Sequence, residues 1–150
     1  NLGMFYKRRD YTRVVNGRNP IVAHEYLGDS VEGKTVFIAD DIIASGESML
    51  EVASNLKARG AKRIIADATF PLFTSGLDKF DKAVEEGTLD YVVGTNLTYR
   101  KPELLNRDWY VDVDVSKYAA YFIVALNHDM SVSSIIDPIK KIEALLASRK

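Results

Sequence analysis

The chain has 150 residues, 47% of them apolar and 27% charged, with a formal net charge of −1 and no cysteine. That length supports one domain with a real core, and the near-neutral balance gives no broad basic field for nucleic acid or an anionic membrane. Disulfides and thiolate metal sites are excluded, no apolar run approaches a membrane span, and no signal-peptide core follows the N-terminus, so a cytoplasmic chain without nucleic-acid or membrane partners is expected.

In chain order, Leu2–Tyr6 reads as a short strand that leads straight into Lys7-Arg8-Arg9. The chain thus opens almost inside a strand, as an excised or N-terminally truncated single domain over 1–150 would. Residues 8–34 read as a projecting arm. Val14-Val15-Asn16-Gly17-Arg18 enters a tight hairpin turn, and Ile21–Leu27 returns. Such an arm buries little surface, so mobility is expected unless a ligand or neighbouring subunit holds it. Thr35–Ala39 is the next strand, followed by a helix over Glu47–Arg59 whose Met49, Val52, Ala53 and Leu56 form one apolar stripe. Gly60 stops that helix.

Further strands are expected at Arg63–Ala68, Tyr91–Val93 and Trp109–Val113, and helices at Leu77–Glu86, Lys117–Asn127 and Pro138–Ser148. Ser116 is suited to cap the third helix, and Pro138 to open the last. Alternating strands and helices predict an α/β domain, a mostly parallel twisted sheet with helices on both faces. Tyr118, Tyr121, Phe122 and Leu126 recur at helical spacing and read as core. Phe73 reads as core or loop packing. His24 and His128 lack a second histidine at ligand spacing, so they read as structural or surface residues and no metal ligand is assigned.

The run from Val36 to Ser48 carries the chemistry. An apolar strand ends in Asp40-Asp41, a small-residue turn follows, and a helix begins. Two carboxylates at a strand end accept hydrogen bonds from vicinal hydroxyls. The turn and helix start offer backbone N–H donors to a phosphate. Gly46 is expected to let the backbone approach that anion, with Ser45 and Ser48 adding hydroxyls. This arrangement suits a sugar phosphate.

The same run resembles the fingerprint of the type I phosphoribosyltransferase superfamily. The order Lys7-Arg8-Arg9, then Gly28-Asp29-Ser30-Val31-Glu32-Gly33-Lys34, then Asp40-Asp41 is similar to the ribose-phosphate pyrophosphokinase family within it. Thr95-Asn96, Val113-Asp114-Val115-Ser116 and Ser131-Val132-Ser133 also resemble its C-terminal half. The resemblance implies a phosphoribosyltransferase-like fold and a homo-oligomer. It implies a kinase reaction in which ATP, with magnesium, gives its diphosphoryl group to ribose 5-phosphate, forming phosphoribosyl pyrophosphate for nucleotide biosynthesis. Asp40 and Asp41 would hold the ribose, and Ala44, Ser45, Gly46, Glu47 and Ser48 the 5-phosphate. Lys7 and Arg9 match the family's catalytic pair.

The chain departs from that family at five positions. Ala44 and Ser45 stand where Asp and Thr are usual, Glu47 replaces a Gly, Ser48 a Thr, and Phe70 follows Thr69 where His is common. Glu47 brings a negative charge to the anion site and is tolerable if its side chain points along the helix toward solvent. The family's ATP-contacting half and pyrophosphate loop lie upstream of anything in this sequence, so the 150 residues alone are expected to be inactive. Two other readings share the ribose phosphate loop. One is a phosphoribosyltransferase that consumes phosphoribosyl pyrophosphate. The other is a non-catalytic regulatory homologue, which the changes at Ala44, Glu47 and Phe70 leave open.

Overall fold

Two sheets organise the protein in the computed structural model, which describes residues 1–9, 12 and 21–148, the side chains of 7–9 and 21–25 lying outside that description. Strands β1 (Met4–Arg9) and β2 (Ile21–Leu27) pair antiparallel, with Met4 opposite Leu27 and Lys7 opposite His24. The turn expected at Val14–Arg18 lies outside the described residues. At the base of this hairpin Tyr26 packs on Phe5 with ring centroids 5.2 Å apart. The Arg59 guanidinium lies 5.3 Å over the Tyr26 ring, and the Tyr26 hydroxyl donates to Asp29 O at 3.1 Å.

The second sheet is wholly parallel, in the order β3 (Thr35–Ile43), β4 (Arg63–Pro71), β5 (Tyr91–Thr95), β6 (Tyr110–Val113). Between and after the strands come α1 (Glu47–Ala58), α2 (Asp78–Glu85), a short α3 (Pro102–Leu105), α4 (Ser116–Asn127), a short α5 (Ser133–Ile136) and α6 (Ile139–Ala147). The α/β class, the parallel sheet and the separate hairpin are as the sequence predicts. β3 and β4 run three to four residues further than expected, to Ile43 and Pro71. Gly60, with φ 85°, does end α1, its N–H bonding Lys57 O at 2.9 Å. No described helix is long and apolar enough to cross a membrane.

Alternation along the strands decides the core. Ile64, Ala66 and Ala68 of β4 and Val92 of β5 are fully buried in one cluster with Met49, Ala53 and Leu56 of α1 and Phe80 and Ala83 of α2. The small alanines on the central strand let the helices pack close. The opposite face carries Phe37, Tyr91, Val111 and Val113, all exposed. Asp67 lies among them, paired with Ala39 and Val93, and partial burial raises its carboxyl pKa.

Two expectations need correction. Tyr118, Tyr121 and Leu126 are exposed rather than core, and Ala125 is the residue α4 buries. Nearly all of α4 is apolar, so its pattern does not single out one buried stripe. Ser116 is the first residue of α4 rather than its cap. Its N–H is accepted by Asp114 Oδ1 at 2.9 Å.

Candidate functional site

Because β3 to β6 are parallel, their carboxyl ends share one edge of the sheet, where ligands of open α/β folds bind. That edge presents Asp40 and Asp41, Thr95, Asn96, Asp112 and Asp114. β3 is an edge strand, and Asp40 and Asp41 are both exposed. They stand inside the strand and not at its end, so alternation turns them to opposite sides. Asp40 Oδ1 already accepts the Asp41 N–H at 2.8 Å.

The 44–48 turn is braced from below. Leu72 and Phe73 N–H groups both bond Ile43 O, at 2.9 and 3.2 Å, and Thr74 N–H bonds Ala44 O at 2.9 Å. Gly46 adopts φ 81° and its carbonyl accepts the first α1 bond, from Leu50 at 2.9 Å. A Cβ there would stand 2.2 Å from Phe80 Cε2. The glycine is therefore required by its left-handed backbone and by a phenyl ring beneath it, a reason the sequence does not reveal. Phe80 belongs to an aromatic cluster, 4.9 Å from Phe73 edge-on and 5.8 Å from Trp109 in a stack. Phe73 is buried with φ 46°, a strained value for a bulky residue, and its role is packing.

Ser45 Oγ accepts the Glu47 N–H at 3.5 Å, while Ala44 and Ser48 are exposed. Glu47 is exposed as its position demands, and Lys79 Nζ of α2 donates to its Oε1 at 2.6 Å. Nothing in the sequence announces that pair, whose members are 32 residues apart.

Further along the edge, Thr95 hydroxyl donates to Thr69 O at 2.6 Å and locks β5 to β4. Asn96 donates from Nδ2 to Asp114 Oδ1 at 2.6 Å and Ser116 Oγ at 2.9 Å, and its Oδ1 accepts the Val115 N–H at 2.9 Å. The motif residues Asn96, Asp114 and Ser116 thus form one network. Bonds from Ser116 and Asn96 hold the Asp114 carboxyl below the usual carboxylate pKa. Arg100 clamps both oxygens of Asp112, and burial pushes the neighbouring Tyr110 hydroxyl up to about 12. The backbone of β1 carries Lys7 and Arg9, whose side chains lie outside the described residues. A cleft of about 660 Å³ between the hairpin base and β3 reaches Asp40 and stops short of the 44–48 turn.

Comparison with known proteins identifies the family. The model of the phosphoribosyl transferase domain matches residues 1–118. The ribose-phosphate pyrophosphokinase of Shewanella oneidensis is 29% identical over 135 residues, covering 90% of this chain and 40% of that protein. That of Vibrio cholerae is 30% identical over 111 residues, covering 74% and 34%. The orotate phosphoribosyltransferase of Oceanobacillus iheyensis is 41% identical over 64 residues, covering 43% and 30%. A phosphoribosylpyrophosphate synthetase from Mycobacterium smegmatis shares the fold, with TM-score 0.61 at 23% identity, over 71% of this chain and 34% of that one. The chain spans 34–40% of the length of the two pyrophosphokinases just described. A match that runs from β1 through the 44–48 turn and the carboxyl ends of all four parallel strands into α4 means that the chain belongs to the phosphoribosyl transferase domain family.

Proposed function

We propose that residues 40–48 bind ribose 5-phosphate and that the chain serves a ribose-phosphate diphosphokinase, which makes phosphoribosyl pyrophosphate and AMP. The observation that carries this reading is the continuity of β3 with the turn. Two exposed carboxylates near the end of β3 are followed, after four intervening residues, by a left-handed glycine and the start of a twelve-residue helix, on the carboxyl edge of a parallel sheet. The 5-phosphate lies against the N–H groups of 44–48, with the Ser45 and Ser48 hydroxyls. Asp40 and Asp41, on the two sides of edge strand β3, accept from ribose hydroxyls that lie over that edge and so orient the sugar.

In the reaction, the anomeric oxygen of ribose 5-phosphate bonds to the β-phosphorus of ATP. The bond from that phosphorus to the α,β-bridging oxygen breaks, AMP leaves with that oxygen, and the anomeric hydroxyl gives up its proton. β1 carries Lys7 and Arg9 two residues apart, and two cations so spaced in sequence suit the stabilisation of a transferring diphosphoryl group. Asp40 and Asp41 are carboxylates of the kind that would hold magnesium accompanying the nucleotide, and the ion would supply charge neutralisation at the diphosphoryl group.

Titrating the 150-residue chain with ribose 5-phosphate, read from backbone amide shifts, tests the site. Shifts at 40, 41 and 44–48 are expected, and shifts confined elsewhere remove the assignment. A protein of pyrophosphokinase length carrying this segment tests the reaction. It should release AMP, and Lys7→Ala should lower turnover by roughly a hundred- to a thousandfold with little change in ribose phosphate binding. Free pyrophosphate in place of AMP would select a phosphoribosyltransferase, the reading favoured by the 41% identity to orotate phosphoribosyltransferase. The 150 residues by themselves should give no AMP above a Lys7→Ala blank.

A further inference from the structure

Two consecutive residues of α2 address two consecutive residues of the 44–48 turn. Phe80 lies under Gly46, in the space a Cβ would fill, and Lys79 Nζ lies 2.6 Å from Glu47 Oε1. Phe80 is fully buried and stacked on Trp109, so the first turn of α2 is anchored beneath the turn. Lys79, one residue earlier, is thereby held beside it.

Glu47 opens α1, where the helix attracts an anion. Its carboxylate therefore stands close to where a phosphate would sit and would repel it. Lys79 cancels that charge. The two side chains are 51% and 69% exposed, and an ion pair so open to water is weak, so Lys79 can change partners at little cost. Its flexible four-carbon stem gives it the reach to do so.

We infer that Lys79 is a phosphate contact of this turn, held by Glu47 when the turn is empty and shared with the phosphate when one is bound. The inference rests on the reading of residues 40–48 as a sugar phosphate site. It adds to that site a cation from a different helix and gives the glutamate a function.

The test is a titration of the 150-residue chain with inorganic phosphate and with ribose 5-phosphate, read from the amides of 44–48, in the wild type, Lys79→Met, Glu47→Gln and the double variant. Lys79→Met should weaken both ligands about tenfold, the scale of one charge-assisted hydrogen bond at an exposed site. Glu47→Gln should strengthen both. Lys79→Met should still weaken binding about tenfold in the Glu47→Gln background, because the lost contact is to the phosphate itself. If the loss appears only when Glu47 is present, Lys79 merely screens the carboxylate and the inference is overturned. Lys79→Arg should retain most of the affinity, and full loss there would also overturn it. Binding at 44–48 that ignores Lys79 altogether removes this inference and leaves the site. No binding, or shifts confined to other amides, removes both.

Discussion

Helices α1 and α4 are each twelve residues long and each follows a parallel strand, yet α1 buries Met49, Ala53 and Leu56 while α4 buries Ala125 alone. α4 is the more apolar of the two and leaves Tyr118, Tyr121, Ile123, Val124 and Leu126 exposed. α6 likewise exposes Ile139, Ile142, Leu145 and Leu146. Apolar content therefore does not decide which helix builds the core. A helix with one apolar stripe satisfies itself against one sheet face, whereas a helix apolar all round needs cover on every side. The described residues give α1 and α2 that single face and give α4 little more than a point of contact.

The sharpest way to break this comparison is to empty the core beneath the turn. Phe80→Ala should cost about 3–5 kcal/mol of unfolding free energy, measured by denaturant titration. Gly46→Ala comes next, because it combines about 1–3 kcal/mol of backbone strain with a side-chain clash of similar size. In the double variant the clash disappears, so the two losses should fall short of their sum.

Asp81 joins α2 to the approach of β6. It accepts from Arg107 Nε and Nη2, each at 2.9 Å, and from Trp109 Nε1 at 2.7 Å. Asp81→Ala should cost about 2 kcal/mol, since it also leaves a part-buried indole N–H without its acceptor. The Arg107 bond lowers the Asp81 pKa more than burial raises it. A carboxyl whose pKa falls on folding stabilises the protein fully above its unfolded pKa and loses that contribution as pH drops through the folded value. The gap in stability between the wild type and Asp81→Asn should therefore narrow below about pH 4.

Smallest of all should be Leu126→Ala on α4, within about 0.5 kcal/mol, because that side chain is 68% exposed. A loss like that of Phe80→Ala would show that α4 is packed in solution and would end the contrast. Amide hydrogen exchange sharpens the same point, with slower exchange expected in α1 than in α4 or α6.

Periodicity reveals what is periodic. The stripe of α1, its stop at Gly60 and the starts of β3, β4 and β5 are legible because each is a local pattern. The ends of β3 and β4 are not, since Asp40 and Pro71 are residue types that strands disfavour and are held in the ladder by neighbours. α3 has only one turn and no periodicity, and Pro102 at its first position is its one usable signal. The Asp40-to-Ser48 run was legible as a motif. What braces it was not, because Phe80 beneath Gly46, Lys79 on Glu47 and Asp81 on Trp109 join residues some 30 positions apart that only the folded chain brings together.

Tyr26 has a mechanical consequence. It is gripped on one side by Phe5 and on another by Arg59 at the end of α1, so it acts as the fulcrum of the hairpin. Phe5 pairs with Tyr26 across the strands, which sets Lys7 and Arg9 about 7 and 13 Å out along the lever arm at the usual strand rise. Were the hairpin to tilt about Tyr26, the β1 backbone at 9 would travel further than the backbone at 7. A change at that one ring would thus be read out along the backbone that carries Lys7 and Arg9.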